Sequence, residues 1–176
     1  MGGCLVIRAA AYEPRARRVI VYGIYYDPRK MRRSVSPFAR FVLNSLFALK
    51  AAPLYNSVLQ RAMKTNLNID WVLHQGMHML GAQTPYEYVQ KAAAYRTCDV
   101  SHMLQQDVLL LAGTEDFIVP LEQFYWQIEA LKNVRSLTAR MFTRAEQAQN
   151  HCQVGNLGLA IDVITNWIEF TRQHAN

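Results

Sequence analysis

Cysteine is scarce in this 176-residue sequence, and what there is forms no pattern. Cys4, Cys98 and Cys152 lie far apart, with no CxxC pair among them. An odd count without metal-like spacing argues against a disulfide framework and fits a reducing, cytoplasmic compartment. A basic region followed by an apolar stretch is missing from the N-terminus, so no secretory signal is expected. No apolar run reaches the roughly 20 residues of a membrane-spanning helix. Charged residues make up only 18% of the chain, too few for a disordered polyelectrolyte, and no internal repeat is found.

What is present is core material: 51% hydrophobic residues and 11% aromatics, spread along the chain. The net charge of +6 is concentrated early, in Arg15, Arg17 and Arg18 and then in the RKMRR stretch at 29–33. That stretch could touch phosphate or an anionic lipid head group, or be a solvated loop beside a domain boundary. No recognition-helix or zinc-finger pattern accompanies it, so neither a nucleic-acid nor a membrane partner is expected.

Three runs read as buried strands. Residues 18–25 (RVIVYGIY) are β-branched and aromatic, 107–112 (DVLLLA) are almost continuously apolar, and 136–142 (SLTARMF) alternate more. Helices are predicted at 4–12, ended by Pro14, at 121–132, opened by Pro120, and at 156–172. In the last, Leu157, Ala160, Ile161, Ile164, Trp167 and Ile168 line one face. Strands alternating with helices imply parallel βαβ units and an α/β fold. The stretch from 29 to 105 reads as helical almost throughout. One of its helices starts at Thr84-Pro85-Tyr86-Glu87, with a hydroxyl N-cap, a proline in the first turn and Glu three residues on.

Two loops carry candidate chemistry. In LLLAGTEDFIVP an acid follows the carboxyl end of a buried strand, where open α/β sheets place reactive groups. Asp116 there could hold an imidazole in one tautomer; equally, Asp116 or Glu115 could merely end the strand or cap the next helix. In QNHCQVGN, His151 stands in a polar loop just before a helix, within reach of a neighbouring strand end. Histidine is the natural general base near neutral pH. A lone loop histidine would mean little, but strand–acid, helix, strand–histidine, helix in that order is a joint signal.

With these two loops in place, the chain resembles the C-terminal portion of an α/β-hydrolase. The nearest branch is the cap-bearing esterase, acylaminoacyl-peptidase-like and pseudooxynicotine-hydrolase-like group. GTEDFIVP resembles its acid loop and NHCQVGN its histidine loop. The resemblance makes 1–28 and 106–176 the hydrolase core and 29–105 a helical cap insertion. The family's nucleophile turn runs G-x-S-x-G into a helix, often with a second glycine. MGGCLVIRAAAY matches it from the residue after the serine onward, with Met1 at the x and Gly2 and Gly3 at the glycines.

The resemblance therefore implies a serine hydrolase of small-molecule esters, amides or activated C–C bonds. Asp116 would be the orienting acid, His151 the base, and the backbone nitrogen of Met1 an oxyanion-hole position. Tyr25, Tyr26 and the cap would shape the substrate pocket. The family's nucleophile is absent, so the chain is expected to be a truncated hydrolase, inactive alone. Its missing partner would be the N-terminal hydrolase half, or a second copy of itself at the strand edge that half would cover. No cofactor is implied.

Other readings stay open. The chain could be a non-catalytic binding module on the hydrolase fold. It could also be a basic peripheral membrane protein anchored through Cys4, although Val6 stands where myristoylation favours Ser or Thr. Cys152 beside His151 is a rival nucleophile, although adjacent residues seldom face each other productively. His74 and His78 share a helical face at i, i+4 spacing, but Gln75 occupies the position of a zincin glutamate and no third ligand is evident, so no metal is expected.

Overall fold

The computed structural model describes residues 1–28 and 36–174. The basic stretch at 29–33 lies outside the described residues. The chain divides into two compact units, Met1–Met31 with Arg96–Asn176, and Arg32–Tyr95.

The first unit is built on three parallel strands, β1 (Arg18–Tyr22), β2 (Asp107–Gly113) and β3 (Ser136–Phe142), in the order β1-β2-β3. Helix α1 (Gly2–Tyr12) precedes β1, α6 (Glu122–Ala130) joins β2 to β3, and α7 (Leu157–Gln173) follows β3. This is the α/β arrangement expected from the alternation of apolar runs. β2 is central and buried along nearly its whole length, as its unbroken apolar sequence requires.

Side-chain alternation along the strands creates two cores. On one face Val19, Val21, Val108 and Leu110 meet Ile7 and Ala10 of α1 and Phe124 of α6. On the other, Leu109, Leu111 and Phe142 meet Ala160 and Trp167 of α7, with Ile20 and Tyr22 packed alongside. β1 ends at Tyr22, three residues short of the expected end, because Gly23 turns the chain with φ +84°. Among the described residues, β1 pairs only with β2, so its other edge carries no strand.

Two glutamines of α6 are fully buried and fix the segments flanking the helical stretch. Gln123 exchanges hydrogen bonds with the backbone of Asp27, at 2.8 and 3.0 Å. Gln127 accepts from Thr97 Oγ1 at 2.6 Å and donates to Ser101 Oγ at 2.8 Å. Each amide is satisfied at both ends, the condition for burying it without a net penalty.

The second unit contains α2 (Pro37–Ala48), α3 (Ala52–Thr65), α4 (Leu67–Leu80) and α5 (Pro85–Ala92). Leu43, Tyr55 and Tyr86 form its core, with Phe47 against both tyrosine rings. Thr84 caps α5 by accepting from Glu87 N at 3.2 Å. The Glu87 carboxylate reaches the amide of Gln83 rather than that of Thr84. No helix among the described residues is long and apolar enough to cross a membrane.

Candidate active site

The site lies where the carboxyl end of β2 meets the loop after β3. Gly113 ends β2 with its Cα pressed against the chain at 149–150: a Cβ there would lie 2.2 Å from the Gln149 carbonyl oxygen. Only glycine allows that approach. Two backbone bonds then tie the loops together, Thr114 N to Phe142 O and Glu115 N to Gln149 O, both 2.9 Å.

The next residue, Asp116, is oriented by its own backbone. Its Oδ1 accepts from the amides of Ile118 at 2.8 Å and Val119 at 2.9 Å, which leaves Oδ2 for His151 Nδ1 at 2.7 Å. A carboxylate that already accepts two amides is an acceptor, so Nδ1 carries the proton and donates. Nε2 is thereby the unprotonated nitrogen of the neutral ring, the form a general base needs. The Asp116 side chain is 10% exposed and that of His151 26%, so the acid is shielded while the imidazole keeps an open side. Glu115 goes elsewhere. It pairs with Arg144 on the surface, and that guanidinium holds its carboxyl below the usual range.

His151 opens a short 3-10 turn, His151–Gln153, whose residues 152 and 153 are left-handed, with φ of 50° and 47°. The Tyr22 phenol donates to the Cys152 carbonyl at 2.5 Å. Asn156 then caps α7 by accepting from Leu159 N at 3.2 Å.

The start of α1 lies against the same place. A Cβ on Gly3 would fall 1.8 Å from the Gly23 carbonyl oxygen, and one on Gly23 would be 3.7 Å from Cys152 Sγ and 3.9 Å from His151 Cε1. The first turn of α1, Gly23 and the histidine loop thus stand in a row. Met1 is the N-cap of α1, and its carbonyl accepts from Cys4 N and Leu5 N. Burial and the Asp116 charge push the Cys152 thiol up, and the nearby Met1 ammonium only partly offsets them. That environment favours the thiol over the reactive thiolate. Burial raises the Cys4 thiol to about 11, and its side chain is inaccessible on the buried face of α1.

Tyr25 and Tyr26 are half-buried, and Tyr26 packs against Trp126 with ring centroids 6.3 Å apart. Neither lines the small cavity beside the dyad, which is about 10 Å³ and bounded by Gly23, Leu111, Gly113, Asp116, Cys152 and Gln153. A larger groove of about 690 Å³, with Tyr12, Arg17, Met103 and Arg135 in its walls, lies at the amino ends of the strands, away from Asp116. His74 pairs with Asp70 at 3.1 Å, and the described residues contain no cluster of three or more metal-binding side chains. Gly23 and Tyr22 were not singled out from sequence. A glycine closing the run RVIVYG was the available signal, since glycine inside a strand pattern marks a close backbone approach.

No protein-family model matches the sequence, and no curated protein does. Among solved structures, the 2,6-dihydroxy-pseudo-oxynicotine hydrolase matches over 89% of this chain, with a TM-score of 0.55 and 20% identity. The fold is a partial α/β-hydrolase fold. The chain spans 33% of the length of that hydrolase. BpoC of Mycobacterium tuberculosis H37Rv, assigned as a non-heme bromoperoxidase, aligns over 97% of this chain and 63% of its own, at 15% identity and a TM-score of 0.44, too loose to add to the assignment. In this partial α/β-hydrolase fold, Asp116 stands at the carboxyl end of the central strand, and His151 follows the strand beside it.

Proposed function

We propose that this chain supplies the acid and the base of a serine-type α/β-hydrolase acting on small-molecule esters, amides or activated C–C bonds. The observation that carries the reading is the 2.7 Å contact between His151 Nδ1 and Asp116, with the other carboxylate oxygen held by two amides. Asp116 fixes the tautomer and stabilises the imidazolium, and His151 Nε2 takes the proton of a serine hydroxyl as that oxygen attacks the substrate carbonyl. The imidazolium then returns the proton to the leaving group. The dyad requires a serine entering the site at the start of α1, joined ahead of Met1. The row formed by the start of α1, Gly23 and His151 supports that entry point. Joined in this way, the Met1 nitrogen becomes an amide N–H and serves as one oxyanion donor. The helical unit takes the role of the cap insertion, and Tyr25 and Tyr26 that of substrate-binding residues.

The test uses p-nitrophenyl esters of short acids. The 176-residue chain alone should hydrolyse them no faster than its His151→Ala variant. Fused to an α/β-hydrolase N-terminal half ending in G-x-S, it should gain turnover. Loss of a triad member costs on the order of 10⁴–10⁶ in rate in working serine hydrolases, so the gain will be easily measured. In the fusion, Asp116→Asn and His151→Ala should each abolish most activity and Glu115→Gln should not. A folded fusion without His151-dependent turnover would leave the non-catalytic binding module as the better reading.

A further inference from the structure

We propose that Tyr22 is a positioning residue that latches the histidine loop to the sheet and thereby sets where His151 stands relative to the first turn of α1. The proposal rests on the acid–base reading of Asp116 and His151.

The residue after His151 is not a glycine, yet its backbone is left-handed, at φ 50° and ψ 29°, and Gln153 follows at φ 47°. Two consecutive side-chain-bearing residues in that region store strain, and they persist only when their surroundings hold them. A chain relaxing at Cys152 would rotate the peptide between Cys152 and Gln153 and, through the turn that His151 opens, swing the imidazole off Asp116. The restraint on this peptide that comes from the sheet is the Tyr22 phenol, which donates to its carbonyl at 2.5 Å. Tyr22 is the last residue of β1, in register with Leu111 of the central strand, and its ring packs among the apolar side chains between sheet and α7. Its hydroxyl is therefore carried by a side chain packed between the sheet and α7. Burial raises its pKa, so the phenol stays protonated as a donor throughout the neutral range.

The same strand end fixes the other side of the site. Gly23, the next residue, holds its carbonyl oxygen where α1 can approach only through a glycine at position 3. Tyr22 therefore registers the histidine loop, and Gly23 registers the helix start, from adjacent residues at the end of one strand. The separation between base and helix start becomes a property of β1 rather than of two independent loops.

The experiment follows the hydrogen-bonded His151 Nδ1 proton by NMR in the 176-residue chain at neutral pH. The Asp116→Asn variant tests the underlying reading first: a protected Nδ1 proton unchanged in that variant would refute the dyad whatever Tyr22 does. Given the dyad, Tyr22→Phe should accelerate exchange of that proton by roughly fivefold or more, the weight of one hydrogen bond, while Tyr12→Phe on the exposed end of α1 should not. Replacing Tyr22 by p-aminophenylalanine, which keeps a donor at the same place, should restore protection. Unchanged exchange in Tyr22→Phe overturns the latch. So does failure of the amino analogue to restore protection, because ring packing would then be the cause. Should Tyr22→Phe not fold, the wild-type chain decides. A slowly exchanging Tyr22 hydroxyl proton coupled to the Cys152 carbonyl is expected, and a freely exchanging one refutes the proposal.

Discussion

Gly2 and Gly3 are adjacent in the first turn of α1, and replacing each by alanine should move stability in opposite directions. Around Gly2 a new Cβ meets nothing within 4 Å. Gly2→Ala therefore keeps only the gain in helix propensity, about 0.5–1 kcal/mol relative to glycine. At Gly3 the same methyl would lie 1.8 Å from the Gly23 carbonyl oxygen and 3.1 Å from Val21 Cγ1. The oxygen belongs to a backbone already turned at φ +84°, so it cannot rotate aside as a flexible side chain would. Helix α1 must instead lift from β1 by more than an ångström, opening contacts of Ile7 and Ala10 with Val19 and Val21. Overpacking of this kind costs about 1–3 kcal/mol, and a backbone obstacle points to the upper end. After the propensity gain, a net loss of about 2 kcal/mol is expected, some 3 kcal/mol apart from Gly2→Ala. Urea unfolding followed by helical circular dichroism, at one fixed protein concentration, reads both variants on the same scale. If Gly3→Ala is as stable as Gly2→Ala, α1 does not pack on β1 as described, and the entry point assigned to the nucleophile is wrong with it.

Acid should weaken the sheet end at Asp107, a buried carboxylate whose hydrogen bonds from Arg135, and secondarily from Ser136, hold its pKa below the usual value. A depressed folded pKa contributes stability that is fully present above about pH 4 and is lost as pH falls through the lower folded value. Urea midpoints should fall between pH 5 and pH 2, and Arg135→Gln should lower the neutral midpoint and flatten that fall; a parallel pH dependence in the variant would refute the pairing. Asn156→Ala removes both the α7 cap and a 3.0 Å bond to Glu146 O, and should cost about 1–2 kcal/mol in thermal or urea unfolding. The free edge of β1 carries strand backbone beside the buried Val19 and Val21, which makes it a template for association. Sedimentation of the isolated chain should show oligomers; a monodisperse, cooperatively unfolding monomer would count against an edge available for pairing.

Local pattern was sufficient for much of this protein. The apolar run that follows Asp107 read as a strand buried on both faces, and β2 is that strand. The stripe from Leu157 to Ile168 required a helix against the sheet, which α7 provides. The order of elements, and the two polar loops that follow β2 and β3, were legible for the same reason: periodicity and turn chemistry act within a few residues. Patterning is silent on the polar residues of α6. Gln123 and Gln127 are both fully buried because Asp27, Thr97 and Ser101 satisfy them from far along the chain.

The site divides in the same way. The resemblance named Asp116 as the acid, but neighbouring acids in a loop look alike, and nothing local sets Glu115 apart from it. Tertiary structure separates them: the two amides that follow Asp116 turn its carboxylate toward His151, 35 positions on, while Glu115 faces Arg144 at the surface. Likewise, nothing local distinguishes Gly2 from Gly3, or marks Cys152 for a left-handed backbone. Those properties come from the Gly23 carbonyl and the Tyr22 hydroxyl, the latter 130 positions from its acceptor. A hydrogen bond constrains both of its ends, but the sequence around either end records only its own half. Which elements form was therefore fixed by short-range pattern, and which atoms face one another at the candidate site was decided by the packing of β1, β2 and the histidine loop.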